Sequence, residues 1–500
     1  MKHLAVRFVV CLIGITILPS GFARPSWNAN AGSFLYAPAF QFAAVPNAER
    51  YRYRVIGADG VLHDFTSPTP TASLASIWDE LPPGRTEVWC EGYNGRFHAM
   101  RRQYRSFWKS ASWRPDAYPK PPRSFDEAVR LGYDYLLNLP FLQTFAATGR
   151  PDPAYRLNCY PAKMHAATVR AMVRLAKRSP DRRERALQLA RTVADYLLSI
   201  SQPADAPLAF FPPTYAGENL SAKRFAGMNM LIHPAEAGSA YVALYGATQE
   251  AKYLAAAENI ARTYMRLQGA DGTWYLKLWE KDGTPVNENR LLPMSVINFF
   301  DNLAEATGKA EYTAVGDRAF SSYEAGPIRT WNWEGQFEDV VPDAAYVNLQ
   351  CHAPLQVARR LLRRWPKDPA RVQLARELID FVEDQFCYWE RPYKRERLSL
   401  VGPKWEDWEV EPAVVEQYHY REVTDSSTAA LAGAFAALAR VTGDTVAREK
   451  ARTLGEACVR MQRPNGRIPT LWSKPSADDI QEDWINCMAA TLSVLEDLGR

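Results

Sequence analysis

Ser426-Ser427-Thr428-Ala429-Ala430-Leu431-Ala432-Gly433-Ala434-Phe435-Ala436-Ala437-Leu438-Ala439-Arg440-Val441-Thr442 carries one charged residue, Arg440, whereas the stretch that follows, 444–462, carries seven. A helix that is apolar all round is buried, and a charged amphipathic one faces water. The pair therefore predicts an inner helix that turns back into an outer one through the tight link Val441-Thr442-Gly443. The contrast recurs upstream, where 234–248 has a single charge, Glu236, and 250–268 has five.

Helical apolar spacing predicts twelve segments, at roughly 125–147, 162–178, 183–201, 234–247, 250–268, 293–307, 309–323, 345–364, 368–388, 426–442, 444–462 and 480–498. Ser124 with Glu127 opens the first as a capping box, and Asp425 or Ser426 is the expected N-cap of the tenth. Even-to-odd links are tight, as at Ala306-Thr307-Gly308. Odd-to-even links are long: 202–233, 269–292, 324–344 and 389–425. This alternation puts every long loop on one rim, at the N-terminus of an inner helix, and long loops in a compact domain are usually functional. Two outer segments also end alike, in Gln268-Gly269-Ala270-Asp271-Gly272 and Gln462-Arg463-Pro464-Asn465-Gly466. Six such hairpins predict a mainly α fold, an (α/α)6 toroid over 124–500. The arrangement resembles the six-hairpin glycosidase superfamily. That resemblance implies a glycoside hydrolase, a polysaccharide lyase or a sugar epimerase, with its site in the rim cleft.

Ahead of the helices the pattern changes. Residues 1–23 combine basic Lys2 and Arg7 with an apolar run from Phe8 to Leu18 and small residues at Gly21 and Ala23. This is the pattern of a signal peptide, too short to span a bilayer, so the mature chain is expected to be exported, periplasmic or extracellular, with no membrane contact after cleavage. Residues 24–113 hold short β-prone runs such as Tyr51-Arg52-Tyr53-Arg54-Val55 and a hairpin signal at Asp59-Gly60. They predict a small β-sandwich that resembles a fibronectin type III module, joined by a proline-rich linker, 114–123. A net charge of +4, with 60 basic and 56 acidic residues spread along the chain, gives no footprint for nucleic acid. The six cysteines beyond the leader form no CxxC pair, so buried thiols are expected and neither a zinc site nor any other cofactor is.

The chemistry-bearing residues crowd into the long loops. Trp331, Trp333, Glu334, Glu338 and Asp339 lie in the seventh-to-eighth loop, with Tyr346 and then His352 following. Glycoside cleavage needs a proton donor and a second carboxylate, and aromatic rings hold the sugar. The ninth-to-tenth loop adds Glu416, Tyr418, His419, Tyr420 and Arg421, and alternation puts Glu416, Tyr418 and Tyr420 on one side of an extended chain. His165, Tyr215, His233 and Trp472 are further expected contacts to substrate, which is an oligo- or polysaccharide. Catalytic roles are expected of Glu334, Glu338, Asp339, Glu416, His352 and Tyr418. Acids in both loops outnumber what a lyase requires, so hydrolysis of a uronic-acid-bearing glycan, as by a β-glucuronidase, is expected ahead of elimination. An (α/α)6 lyase using Tyr418 with His419, His352 or His165 is the alternative, and a glycan-binding protein without catalysis is a third.

Overall fold

The computed structural model describes residues 31–94, 99–339, 349–390, 408–418, 422–473 and 480–500. Residues 1–23, with the sequence pattern expected of a signal peptide, and Tyr346, His419, Tyr420 and Arg421 lie outside them.

Strands β1 (Ser33–Phe34), β2 (Ala39–Gln41), β3 (Arg50–Ile56), β4 (Leu62–Ser67), β5 (Thr71–Ser73), β6 (Gly84–Tyr93) and β7 (Ala99–Lys109) form the N-terminal β-sandwich. Its larger sheet runs β1-β7-β6-β3-β4, and β2 pairs with β5. Alternation along β3 buries Tyr51, Tyr53 and Val55 and leaves Arg50 and Arg52 in water, as a half-covered antiparallel sheet requires. Phe34, Phe40, Trp78, Val88 and Phe107 complete this small core.

Among the described residues, twelve longer helices build the toroid, with three shorter ones between them: α1 (Phe125–Leu137), α2 (Pro161–Arg178), α3 (Arg183–Ser199), α4 (His233–Thr248), α5 (Ala251–Leu267), α6 (Met294–Thr307), α7 (Ala310–Ala325), α8 (His352–Arg364), α9 (Pro369–Phe386), α10 (Asp425–Thr442), α11 (Thr445–Met461) and α12 (Ile485–Leu498). The even-numbered helices pack one on the next, α2 on α4, α6, α8, α10 and α12, and α12 closes on α2. Each odd-numbered helix covers its neighbour from outside, and α1 covers α12, so the two ends of the chain form the sixth hairpin. The toroid and its inner-outer alternation are as the charge pattern predicts.

Local chemistry sets the boundaries. Ser124 accepts from the Glu127 amide at 3.2 Å and caps α1. The predicted segment 125–147 is two helices, because α1 stops at Leu137 and Pro140 starts a second, Pro140–Thr148. The cap of α10 is Thr424, whose hydroxyl accepts from Ser427 N, not Asp425 or Ser426. Asp425 instead lies fully buried and takes a 2.9 Å hydrogen bond from Thr491 of α12. The repeated turn after α5 and α11 is built alike: Gln268 donates to Gly272 O at 2.8 Å and Gln462 to Gly466 O at 2.9 Å. Gly272 and Gly466 have φ of 82° and 94°, and a Cβ on either would strike the carbonyl of Arg318 or Leu131, so only glycine fits. The six described cysteines are buried and free. No described helix is long and apolar enough to cross a membrane.

Candidate active site

The loops entering the inner helices surround a cleft of about 1270 Å³ at the rim of the toroid. Inner helices α2, α4 and α8 present Lys163, His233 and His352 to it from their first turns, and the two large loops add Glu338, Asp339, Glu416 and Glu422. Helix N-termini point backbone N–H groups and positive dipole ends at this space, which favours anions there.

Glu338 is the most tightly held. It is 3% exposed, with Lys163 Nζ at 2.6 Å from Oε1 and His233 Nε2 at 3.6 Å from Oε2. Burial alone would raise its pKa, but the Lys163 charge and the His233 contact overcome burial and hold it well below the carboxylate range. His233 in turn sits 3.0 Å from Glu236, and its pKa is raised because these two carboxylates outweigh its burial. The result is an alternating chain Lys163–Glu338–His233–Glu236. Its backbone is fixed as well: Tyr215 Oη donates to Glu338 O at 2.8 Å and Lys277 Nζ at 3.2 Å. Lys163 also lies 4.3 Å over the Trp484 ring, which stacks on Tyr160.

Asp339, the next residue, has the opposite setting. Its side chain reaches solvent through the cleft, yet protein packs densely around it. That enclosure, and then the Glu338 charge, push its carboxyl up to about 6. Two adjacent acids are thus driven apart, one held ionised and one poised to carry a proton near neutrality.

The second loop makes another pair. Val415 and Val423 bridge antiparallel, and Glu416 N donates to Glu422 O at 3.0 Å, so Glu416 and Glu422 are cross-strand neighbours. His352 Nε2 lies 3.5 Å from Glu416 Oε1 and 3.3 Å from Ser427 Oγ. Glu422 is nearly buried and takes a hydrogen bond from Ser473 Oγ. Burial, reinforced by Glu416, pushes it up to about 7.

Several sequence expectations are corrected. Trp333 and Trp472 are fully enclosed in the core and are not sugar platforms; Trp333 packs on Tyr323. Trp331 is partly exposed but turns to Phe381 and is absent from the cleft wall. Glu334 bridges Leu349 and takes Asn332 at 3.2 Å, outside the cleft, and the stretch joining it to Glu338 is not helical. His165 is 2% exposed between Phe145 and Tyr196, and burial pushes it down to about 3, so it is a neutral core residue. Tyr418 is not beside Glu416. The backbone bends between them, and its hydroxyl donates to Gln385 at 2.7 Å, toward the β-sandwich. Tyr215 supports the Glu338 loop rather than lining the cleft. Glu338, Asp339, Glu416, His233 and His352 are brought together as expected. Lys163, Glu236, Glu422 and Trp484 complete the wall; their common signal is position, at the start of an inner helix or opposite Glu416 across its strand pairing.

No family model and no curated protein sequence matches the chain. Solved structures do match in fold. A D-mannose isomerase superposes with TM-score 0.52 at 14% identity, over 76% of this chain and 100% of that one. A cellobiose 2-epimerase from Spirochaeta thermophila gives 0.50 at 12%, over 75% and 100%. An unsaturated glucuronyl hydrolase from Streptococcus agalactiae gives 0.49 at 13%, over 78% and 98%. At these identities the first two likenesses bear on the fold alone, an (α/α)6 toroid.

Proposed function

We propose that the protein is an exported carbohydrate-active enzyme that hydrolyses glycosidic bonds in uronic-acid-containing glycans, with Asp339 as general acid and Glu416 as the second carboxylate. The observation that carries this reading is the split at Glu338 and Asp339. Hydrolysis needs one carboxyl protonated beside one that is ionised. Here Lys163 and His233 keep Glu338 charged, and enclosure together with the Glu338 charge raises Asp339 to about 6, where it can carry a proton. Glu416 faces the same cleft, and its charge also bears on Asp339. Glu338 itself is enclosed and acts on substrate only through Asp339. Lys163, His352 and the helix N-termini supply the positive field that a uronate carboxylate would meet.

Elimination has less support. It needs a base and an acid at the sugar's C5 and leaving oxygen, and Tyr418 and His165 are both buried away from the cleft. Export rests on the leader-like residues 1–23. The test is the product formed from a panel of glucuronides and uronic-acid oligosaccharides, read by NMR. A saturated reducing sugar is expected. A 4,5-unsaturated uronate would assign a lyase, a rearranged but uncleaved sugar an isomerase or epimerase, and binding without product a glycan-binding protein.

A further inference from the structure

The cleft continues below the catalytic residues along the axis of the inner ring, and its wall there is polar. Ser239 of α4, Ser295 and Asn298 of α6 and Gln356 of α8 face it, with Arg170 of α2. None of the five has a hydrogen bond or ion pair among the described residues. Polar groups inside a fold need partners, so theirs are whatever fills the cavity, water or ligand.

Arg170 is the informative member. It is half-buried in the middle of α2. Its neighbours along the axial side are accounted for: Lys163 pairs with Glu338 at 2.6 Å and Arg174 with Glu496 at 3.4 Å. Lys177 lies in the last turn of the helix, where the dipole favours a cation. Neither explanation covers Arg170. The acids on the cavity wall are committed elsewhere, Glu236 to His233, Glu416 to His352, Glu422 to Ser473 and Glu496 to Arg174 and Arg500. Arg170 stands seven residues after Lys163, about 10 Å further along the axis, and a helical side chain leans back toward its N-terminus, here toward the rim. Burial would raise the Glu236 carboxyl, but His233 and then the Arg170 and Lys163 charges hold it low. The guanidinium is therefore near the first turn of α4, just beneath the rim.

We propose that Arg170 is the residue that recognises the acid group of the substrate. A uronate ring enters the shaft beneath Asp339 and Glu416, its carboxylate meets the Arg170 guanidinium, and its hydroxyls meet Ser239, Ser295, Asn298 and Gln356. A planar guanidinium fork matches a carboxylate two oxygens at a time, and hydroxyls and amides both donate to and accept from sugar hydroxyls. The inference rests on the uronic-acid reading above and adds the residue that selects the acid over a neutral sugar.

The experiment is titration of the full chain at neutral pH with D-glucuronate, with D-glucuronamide, which has the same shape without the charge, and with D-glucose. The wild type is expected to bind glucuronate about tenfold or more tighter than the other two, as a hydrogen bond to a charged group implies. Arg170→Met is expected to abolish that advantage while leaving affinity for glucose unchanged, and Arg170→Lys to keep part of it. Lys177→Met removes the same charge from the same cavity further along α2 and is expected to keep all of it. Should Arg170→Met fail to fold, Arg170→Gln reads the same loss. No preference for glucuronate in the wild type, an advantage that survives in Arg170→Met or Arg170→Gln, or an equal loss in Lys177→Met overturns the assignment. Its failure is distinct from that of the hydrolase reading. Hydrolysis of glucuronides with no dependence on Arg170 would sink the assignment alone, and Arg170-dependent binding of glucuronate without hydrolysis would sink the hydrolase alone.

Discussion

The two large rim loops each bring a pair of carboxylates to the cleft wall, and the two pairs are set differently. In the loop before α8 the acids are consecutive. Glu338 turns inward to Lys163 and His233, and Asp339 turns out into the cleft. In the loop before α10 the acids are six residues apart and meet across a hairpin. Glu416 stays on the cleft beside His352, while Glu422 is the enclosed member beside Ser473. Enclosure therefore has opposite results. With a cation at 2.6 Å the buried acid is ionised; with only a hydroxyl it retains its proton. Asp339, beside the ionised Glu338, is pushed up to about 6 by its enclosure and then by that charge.

Substitutions that exchange these settings have graded effects. The largest is on turnover: Asp339→Asn and Glu416→Gln are each expected to lose about 10²–10⁴-fold in kcat, with Tm close to wild type because both side chains reach the cleft. Next, Lys163→Met leaves Glu338 buried without its nearest cation. Denaturant unfolding at neutral pH is expected to show a loss of about 3–5 kcal/mol, the cost of breaking a buried pair. Third, Glu422 has a folded pKa near 7, above the roughly 4.3 of an unfolded glutamate. Its contribution to stability is full below that lower value and is lost as pH rises through 7. Glu422→Gln should flatten the decline in stability between about pH 4 and 7 by roughly 2–3 kcal/mol, whereas equal slopes would show that Glu422 is not the enclosed proton carrier. The smallest effect belongs to Tyr418→Phe, which removes one hydrogen bond to Gln385 for about 1 kcal/mol and leaves the pH dependence of turnover unmoved.

The fold was legible because charge alternates between whole helices, as in 426–442 against 444–462, and burial of a charged helix is too costly for the pattern to arise otherwise. The rim loops were legible for the same reason, but their individual side chains were not. Trp333 lies among acids in sequence, yet its carbonyl accepts from Gln350 N at 3.0 Å, and this pairing folds the ring into the core. His165 was readable from helical phase. Lys163, Arg170, Arg174 and Lys177 share the axial side of α2, and a residue two positions from Lys163 points to the other side. Glu422 escaped notice because cross-strand pairing depends on a register that sequence does not fix. Thr424 caps α10 in place of Asp425 because the helix begins one residue earlier than its apolar pattern.

The central claim, that Asp339 donates a proton while Glu416 acts at the sugar, is tested most directly by changing the leaving group. Asp339→Asn and Glu416→Gln would be assayed on an alkyl glucuronide, whose departing oxygen needs a proton, and on a nitrophenyl glucuronide, whose phenolate does not. Asp339→Asn is expected to lose about 10²–10⁴-fold on the alkyl glycoside and less than about tenfold on the nitrophenyl one, while Glu416→Gln loses heavily on both. Equal losses on the two substrates for Asp339→Asn, or wild-type turnover in Glu416→Gln, would contradict it.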